Sequence, residues 1–422
     1  MSHGSLDRRR GWTPHPRPEW VARVNEEGRI LGARGLVPLD EASLLAQAVA
    51  NTGLEDFGED GWREPFRVLL DAIEREANLN LVGRLFTRSD MLIHLEGRLR
   101  VTDWIARHPE VETERVDAPV VITGLGRSGT TILHEVLAQD PQFRVVRMWE
   151  AKYPCPPPEP ASYSSDPRIE RAERVTTLQD RITPEWRSMH KVGGDLPVEC
   201  IEFMYSSFLS EAFPASFQVP SYSEYLARAD LRPAYAWHRR ILRLLQSRHR
   251  ARHWLLKGPT HVPVLPLLLE TYPDARVILL HRDPVKALAS VVDVVGTLFW
   301  MRTDTPFAGD SFGAYLATEP VARNLERVIG WLEDGTLPAQ RVCSVRYRDF
   351  ATRPEVEIER IYERLGLELS GPAMDAMRGY LAAKPKGKFG QHVYEAGSRE
   401  AIAAERGRFR GYQEYFGVPD EP

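Results

Sequence analysis

The chain is poor in cysteine, has no long apolar run and carries little net charge for its length. Cys155, Cys200 and Cys343 are its three cysteines, odd in number and far apart. That excludes a disulfide framework, and with no CxxC pair or Cys/His cluster along the sequence no zinc or other metal site is expected. Reduced thiols of this kind suit a cytoplasmic protein. No apolar stretch reaches the length of a membrane span, and the opening MSHGSLDRRRGWTPHPRPEW lacks the apolar core of a secretory signal. The formal net charge is −4, so no global attraction to nucleic acid is expected. What remains is ordinary for a globular protein: 422 residues, 43% hydrophobic and 27% charged, enough for one large or two modest domains.

The stretch that organises the chain is 119–137, PVVITGLGRSGTTILHEVL. Val120 to Thr123 form a short β-branched run, expected as a buried strand. Gly124, Gly126 and Gly129 then interrupt it, and Ile132, Leu133, Val136 and Leu137 fall at one-face helical spacing. Strand, glycine-rich turn and helix start make a phosphate cradle, because unpaired N–H groups at a helix N-terminus point at an anion. Three ligand readings fit the turn. The glycines spell GxGxxG, with Glu150 downstream as a ribose-binding acid in a Rossmann oxidoreductase. Gly124 to Thr131 also spell a Walker loop of a kinase or NTPase, but Thr130 stands where the lysine belongs. The third reading takes RSGTT as it stands, with Arg127 as the loop cation and Ser128, Thr130 and Thr131 as added donors. A plain structural turn is the bland alternative.

Along the chain, residues 1–20 are expected as a loose arm and 21–115 as a helical extension. Asp40 caps a helix that Gly53 ends, Phe66, Leu69, Leu70 and Ile73 make an amphipathic stripe, and Leu92, Leu95 and Leu99 mark another helix. From 116 to 422 strand and helix alternate. Strands are expected at 120–123, 143–149, 253–257, 275–281 and 342–347, with a long helical stretch from about 167 to 250. That stretch includes the basic run 238–253, read as a solvated helix face. This pattern predicts an α/β fold: a P-loop-type, doubly wound, mostly parallel sheet with helices on both faces and the N-terminal helical extension. Ligands of such sheets bind beyond the carboxyl ends of the strands, so the loops after 123, 149, 257 and 281 are expected to converge.

GLGRSGTT resembles the 5′-phosphosulfate loop of sulfotransferases that use 3′-phosphoadenosine 5′-phosphosulfate (PAPS), in a bacterial subgroup with an RSGTT loop. HRDPVKALAS (281–290) resembles the same family's 3′-phosphate segment, where Arg282 and Ser290 have the matching spacing; it is not the kinase HRDxxxxN loop, since Leu288 fills the asparagine position. WLLKGPTHV (254–262) resembles its KxP setting, in which a strand-end lysine, here Lys257, approaches the transferring group. The resemblance implies a PAPS-dependent sulfotransferase acting on a hydroxyl or amine of a small-molecule acceptor, releasing adenosine 3′,5′-bisphosphate (PAP) and using no metal. Gly126, Arg127, Ser128, Gly129, Thr130, Thr131, Arg282 and Ser290 would bind the donor, and Lys257 would assist the leaving group. Lys386, in the basic segment KPKGKFG, resembles the element that closes over the 3′-phosphate. Glu150, after the second expected strand, is the first choice of general base; His261, His190 and Glu199 are the alternatives. RYRDF (346–350) is read as structural. The acceptor pocket is expected from loops 151–235 and 296–325, with Phe299, Trp300, Phe307 and Phe312 as candidate wall residues. A PAPS-binding module without activity is the non-enzyme alternative.

Overall fold

The structure, a computed structural model, describes residues 12–250, 252–307, 317–384 and 399–421. Its centre is one five-stranded parallel sheet in the order β2-β3-β1-β4-β5, with β1 Val120–Gly124, β2 Phe143–Arg144, β3 His253–Lys257, β4 Arg276–His281 and β5 Val342–Arg346. β1 lies in the middle, hydrogen-bonded to β3 on one side and to β4 on the other, and is buried along its whole length. Its carboxyl end therefore opens between the ends of its two neighbours.

Strand alternation sorts the core into two layers. Val120, Ile122, Leu255, Ile278 and Leu280 face one way, against Leu133 and Val136 of the helix Thr130–Leu137 and Ile358, Ile361 and Leu365 of the helix Pro354–Leu365. Val121, Leu256, Val277 and Leu279 face the other, and share one apolar cluster with Phe66, Leu69, Leu70, Leu95 and Leu99 of the N-terminal helices. A period of two along each strand gives each sheet face its own apolar cover.

Those N-terminal helices are α1 (Glu19–Leu31), α2 (Glu41–Thr52), α3 (Arg63–Glu76) and α4 (Leu81–Arg107). Asp40 accepts from Ser43 N at 2.8 Å and caps α2, and Gly53 ends it with φ 69°. The arm before them is not loose from Trp12 onward. Trp12 packs edge-on against Phe307, and Arg17 lies 3.6 Å over the Trp300 ring and donates to Thr303 O. A tryptophan and a partly buried guanidinium outweigh the polar composition that suggested disorder.

Two other expectations are corrected. The second strand spans only Phe143–Arg144, because the chain turns into the short helix Met148–Lys152. The stretch from 167 to 250 is not one long helical run. It breaks after Pro167–Ile182 into several short helices before Arg232–Gln246, with prolines at the starts of the segments at 220 and 232. In the basic run, Arg240 and Arg243 pair with Glu112 and Arg250 with Glu114, while Ile241, Leu242, Leu244 and Leu245 are buried. No helix among the described residues is long and apolar enough to cross a membrane.

Candidate active site

The turn after β1 is built by backbone conformations that few side chains tolerate. Gly124 has φ 147°, and a Cβ there would lie 2.4 Å from Leu280 O; Gly129 has φ 95°, and a Cβ there would lie 2.5 Å from the Tyr347 ring. Glycine is required at both positions. Arg127 also adopts a left-handed conformation, φ 68°, which costs free energy that the surrounding contacts must offset.

Those contacts join the two motifs. Arg127 Nε donates to Ser290 Oγ at 2.9 Å and its Nη1 to Met189 O at 3.1 Å. Arg282 Nη1 donates to Arg127 O at 2.8 Å, and its guanidinium sits 4.5 Å over the Tyr347 ring. Tyr347, from the segment read as structural, thus touches both Gly129 and Arg282. Ser290 projects from the helix Pro284–Trp300, which Asp283 caps by accepting from Val285 N. Ser128 Oγ is buried with no hydrogen-bond partner, inside a turn whose backbone donors start the helix at Thr130. A buried hydroxyl left unpaired is costly, and an anion seated in the turn satisfies it.

Lys257 ends β3 beside this turn. It is 2% exposed, is ion-paired with Glu199, and donates to Thr131 Oγ1 at 3.3 Å. Burial alone raises the Glu199 carboxyl, but Lys257, His190 and the hydrogen bond from Lys257 outweigh it and hold the group below its ordinary value. Burial pulls His190 down to about 4, against the opposing pull of Glu199.

The structure gives Glu150 another job. Its side chain is fully buried; Oε1 accepts from Arg144 Nη2 at 2.7 Å, and Oε2 from Arg147 N at 2.9 Å and the Tyr163 hydroxyl at 3.1 Å. It closes a capping box on Met148–Lys152, and none of these three partners belongs to the cradle. The loop after β2 still contributes, at one remove. Val146 to Trp149 hydrogen-bond to 194–198, through Val198 N to Val146 O, Met148 N to Leu196 O and Trp149 N to Gly194 O. This pairing carries the next residue, Glu199, to Lys257.

His261 is fully buried; its Nδ1 shares a 2.6 Å hydrogen bond with the Tyr235 hydroxyl, its Nε2 has no hydrogen-bond partner, and burial pulls it down to about 4 against the opposing pull of Glu199. Its neighbours include Cys200 and His238; one possible ligand atom from each of the three lies within 4.8 Å of the others. Sequence separation hid this Cys/His grouping. Phe299 packs into the core with Val292 and Val295, and Trp300 is covered by Arg17, so neither stands as a free pocket wall. Lys386 and Phe312 lie outside the described residues. Lys384, just before that segment, pairs with Glu135 on the helix that follows the cradle.

Comparison with known proteins identifies the family. The sequence profile described as the Sulfotransferase family fits residues 119–371. The chain is 28% identical over 279 residues to omega-hydroxy-beta-dihydromenaquinone-9 sulfotransferase Stf3 of Mycobacterium bovis, which covers 64% of this chain and 68% of that one. Among solved structures, sulfotransferase STF1 of Mycobacterium tuberculosis H37Rv is 31% identical with a TM-score of 0.74, covering 88% of this chain and 98% of its own. Sulfotransferase STF9 of Mycobacterium avium is 26% identical with a TM-score of 0.78, covering 90% and 97%.

Proposed function

Since this chain belongs to the sulfotransferase family, we propose that the site at the carboxyl end of β1 moves a sulfuryl group from PAPS to a small-molecule acceptor. The observation that carries this reading is the convergence of Arg127, the unpaired Ser128 hydroxyl, Ser290 and Arg282 beside the Lys257–Glu199 pair. Arg127, the Ser128 hydroxyl, Thr130, Thr131 and the turn amides of Gly126, Arg127 and Gly129 would hold the 5′-phosphosulfate, and Arg282 and Ser290 the 3′-phosphate. Lys257 would neutralise charge developing on the bridging oxygen as the bond to sulfur breaks. The three cations supply the positive charge that such a transfer needs, and no metal is part of the proposal.

Glu199 replaces Glu150 as the proposed base. In the resting pair, Lys257 keeps Glu199 anionic and ready to accept a proton. As the lysine's charge is drawn to the donor, its hold on the carboxylate weakens, and Glu199 becomes the stronger base when the acceptor attacks. The similar Stf3 proteins are named for an omega-hydroxy acceptor, which favours a hydroxyl over an amine for this chain too. A cytoplasmic setting fits the free thiols of Cys155, Cys200 and Cys343. The test is thermal stabilisation by PAP, with little response to ATP–Mg²⁺ or NAD, because a ligand that binds only the folded state raises apparent stability. A shift with ATP–Mg²⁺ and none with PAP moves the reading to a kinase.

A further inference from the structure

The arginine assigned to the 3′-phosphate already holds a carboxylate. Arg282 Nε donates to Glu421 Oε1 at 2.8 Å and Arg282 Nη2 to Glu421 Oε2 at 2.8 Å. This is the two-point geometry with which a guanidinium grips either a carboxylate or a phosphate. Arg282 Nη1 is taken by Arg127 O. A 3′-phosphate that uses the Nε/Nη2 edge therefore has to take it from Glu421.

The segment carrying Glu421 is clipped in place over that edge. It follows the helix Arg399–Phe416, which packs on Pro284–Trp300 through Phe409 and Tyr412 against Val285 and Leu288. Val418 is buried in the same cluster. Arg406 Nη2 donates to Asp283 Oδ2 at 2.9 Å and to Glu421 O at 2.5 Å; Glu421 N donates to the same Asp283 oxygen at 2.9 Å. Gln413 Nε2 donates to Asp420 Oδ1 at 2.9 Å. Asp283 is the cap of the helix that bears Ser290, so the clip is anchored on the 3′-phosphate element itself.

The clasp is strong enough to form and weak enough to exchange. The Arg282 and Glu421 side chains keep 23% and 27% of their exposure. Pairs that reach solvent contribute little net stability, and a phosphate carries more charge than a carboxylate.

We propose that Glu421 is a built-in competitor for the 3′-phosphate: it occupies Arg282 when the donor site is open and retakes it as PAP leaves. The proposal rests on the PAPS reading. It predicts a selective effect, because a nucleotide without a 3′-phosphate has no quarrel with Glu421. A clasp closed about nine-tenths of the time weakens PAP about tenfold.

The test is calorimetric titration of PAP and of adenosine 5′-monophosphate into the wild-type protein, Glu421→Gln and Arg406→Gln. The second variant loosens the clip and leaves the carboxylate, which keeps the test alive if the first folds poorly. The expected result is PAP binding about tenfold tighter in Glu421→Gln and tighter in Arg406→Gln, with the monophosphate within about twofold of wild type in both. PAP binding that is unchanged or weaker in both variants overturns the competitor and leaves the donor assignment standing. Equal tightening of both nucleotides also overturns it, because that reports only the removal of a nearby negative charge. A wild-type protein that binds no PAP at all overturns the donor reading, and this proposal with it.

Discussion

Replacing Glu199 with glutamine removes the negative charge that faces Lys257 while keeping the shape and one acceptor oxygen. Taking one partner from a fully buried ion pair costs about 3–5 kcal/mol. Here Lys257 is 2% exposed but the Glu199 side chain keeps 21% exposure, and the amide oxygen still accepts from the ammonium. The loss should be smaller, about 1–2 kcal/mol, a few degrees in melting temperature. Turnover should fall much further, by about a hundred- to ten-thousandfold, because the anionic carboxylate beside Lys257 is the proposed acceptor of the proton. The assay pairs single-turnover sulfuryl transfer with PAP titration; affinity for PAP should hold or tighten slightly, since a nearby negative charge has gone. The pH dependence separates the two roles. Glu199 is depressed in the folded state, so its pairing stabilises the protein fully above the ordinary glutamate value of 4.5 and is lost only as pH falls through the lower folded value. The stability gap between wild type and Glu199→Gln should therefore persist through neutral pH and close in acid. Near-normal turnover together with the expected melting loss would refute the reasoning: Glu199 would then be only the structural partner of Lys257.

The converse holds for Glu150→Gln. It should cost about 3 kcal/mol of stability by leaving Arg144 without its buried anion, yet spare the turnover of the folded fraction, as read by denaturant melts and rates per folded molecule. Gly129→Ala should lose about 1–3 kcal/mol, because φ 95° is unfavourable for alanine and the new Cβ meets the Tyr347 ring; it should also weaken PAP, since Tyr347 underlies Arg282, and calorimetry checks both.

The two segments assigned to the donor in this proposal are legible in the sequence because each is local. Gly124 to Thr131 and Arg282 to Ser290 each sit within one turn and one helix, where residue type and spacing dictate backbone geometry and donors directly. The sheet was legible for a related reason: buried parallel strands read as short β-branched runs, and four of the five expected strands match within about two residues. For Glu150, proximity in sequence to a strand end is not proximity to the cradle: its partners are Arg144, Arg147 and Tyr163. Immediately after Val146–Arg147 the chain is helical, and a glutamate at the third helical position of a short helix is drawn to its own cap.

What the sequence could not state is how the proposed base reaches the lysine. Glu199 lies 58 residues before Lys257, after a proline and among short helices with no strong period, and it was one of several alternatives. Its position follows from the backbone bonds between 146–149 and 194–198, which no side-chain pattern encodes. The same holds for Glu421, which lies 139 residues from Arg282 and reaches it only because Phe409, Tyr412 and Val418 dock beside Val285 and Leu288. Both carboxylates meet their cations across long separations in sequence, and both cations sit at the carboxyl ends of the strands next to β1, Lys257 as the last residue of β3 and Arg282 just past β4. The strand ends fix where positive charge is held. The tertiary packing of distant segments fixes which negative groups meet it, so the electrostatic control of the site is a property of the assembled fold and not of its motifs.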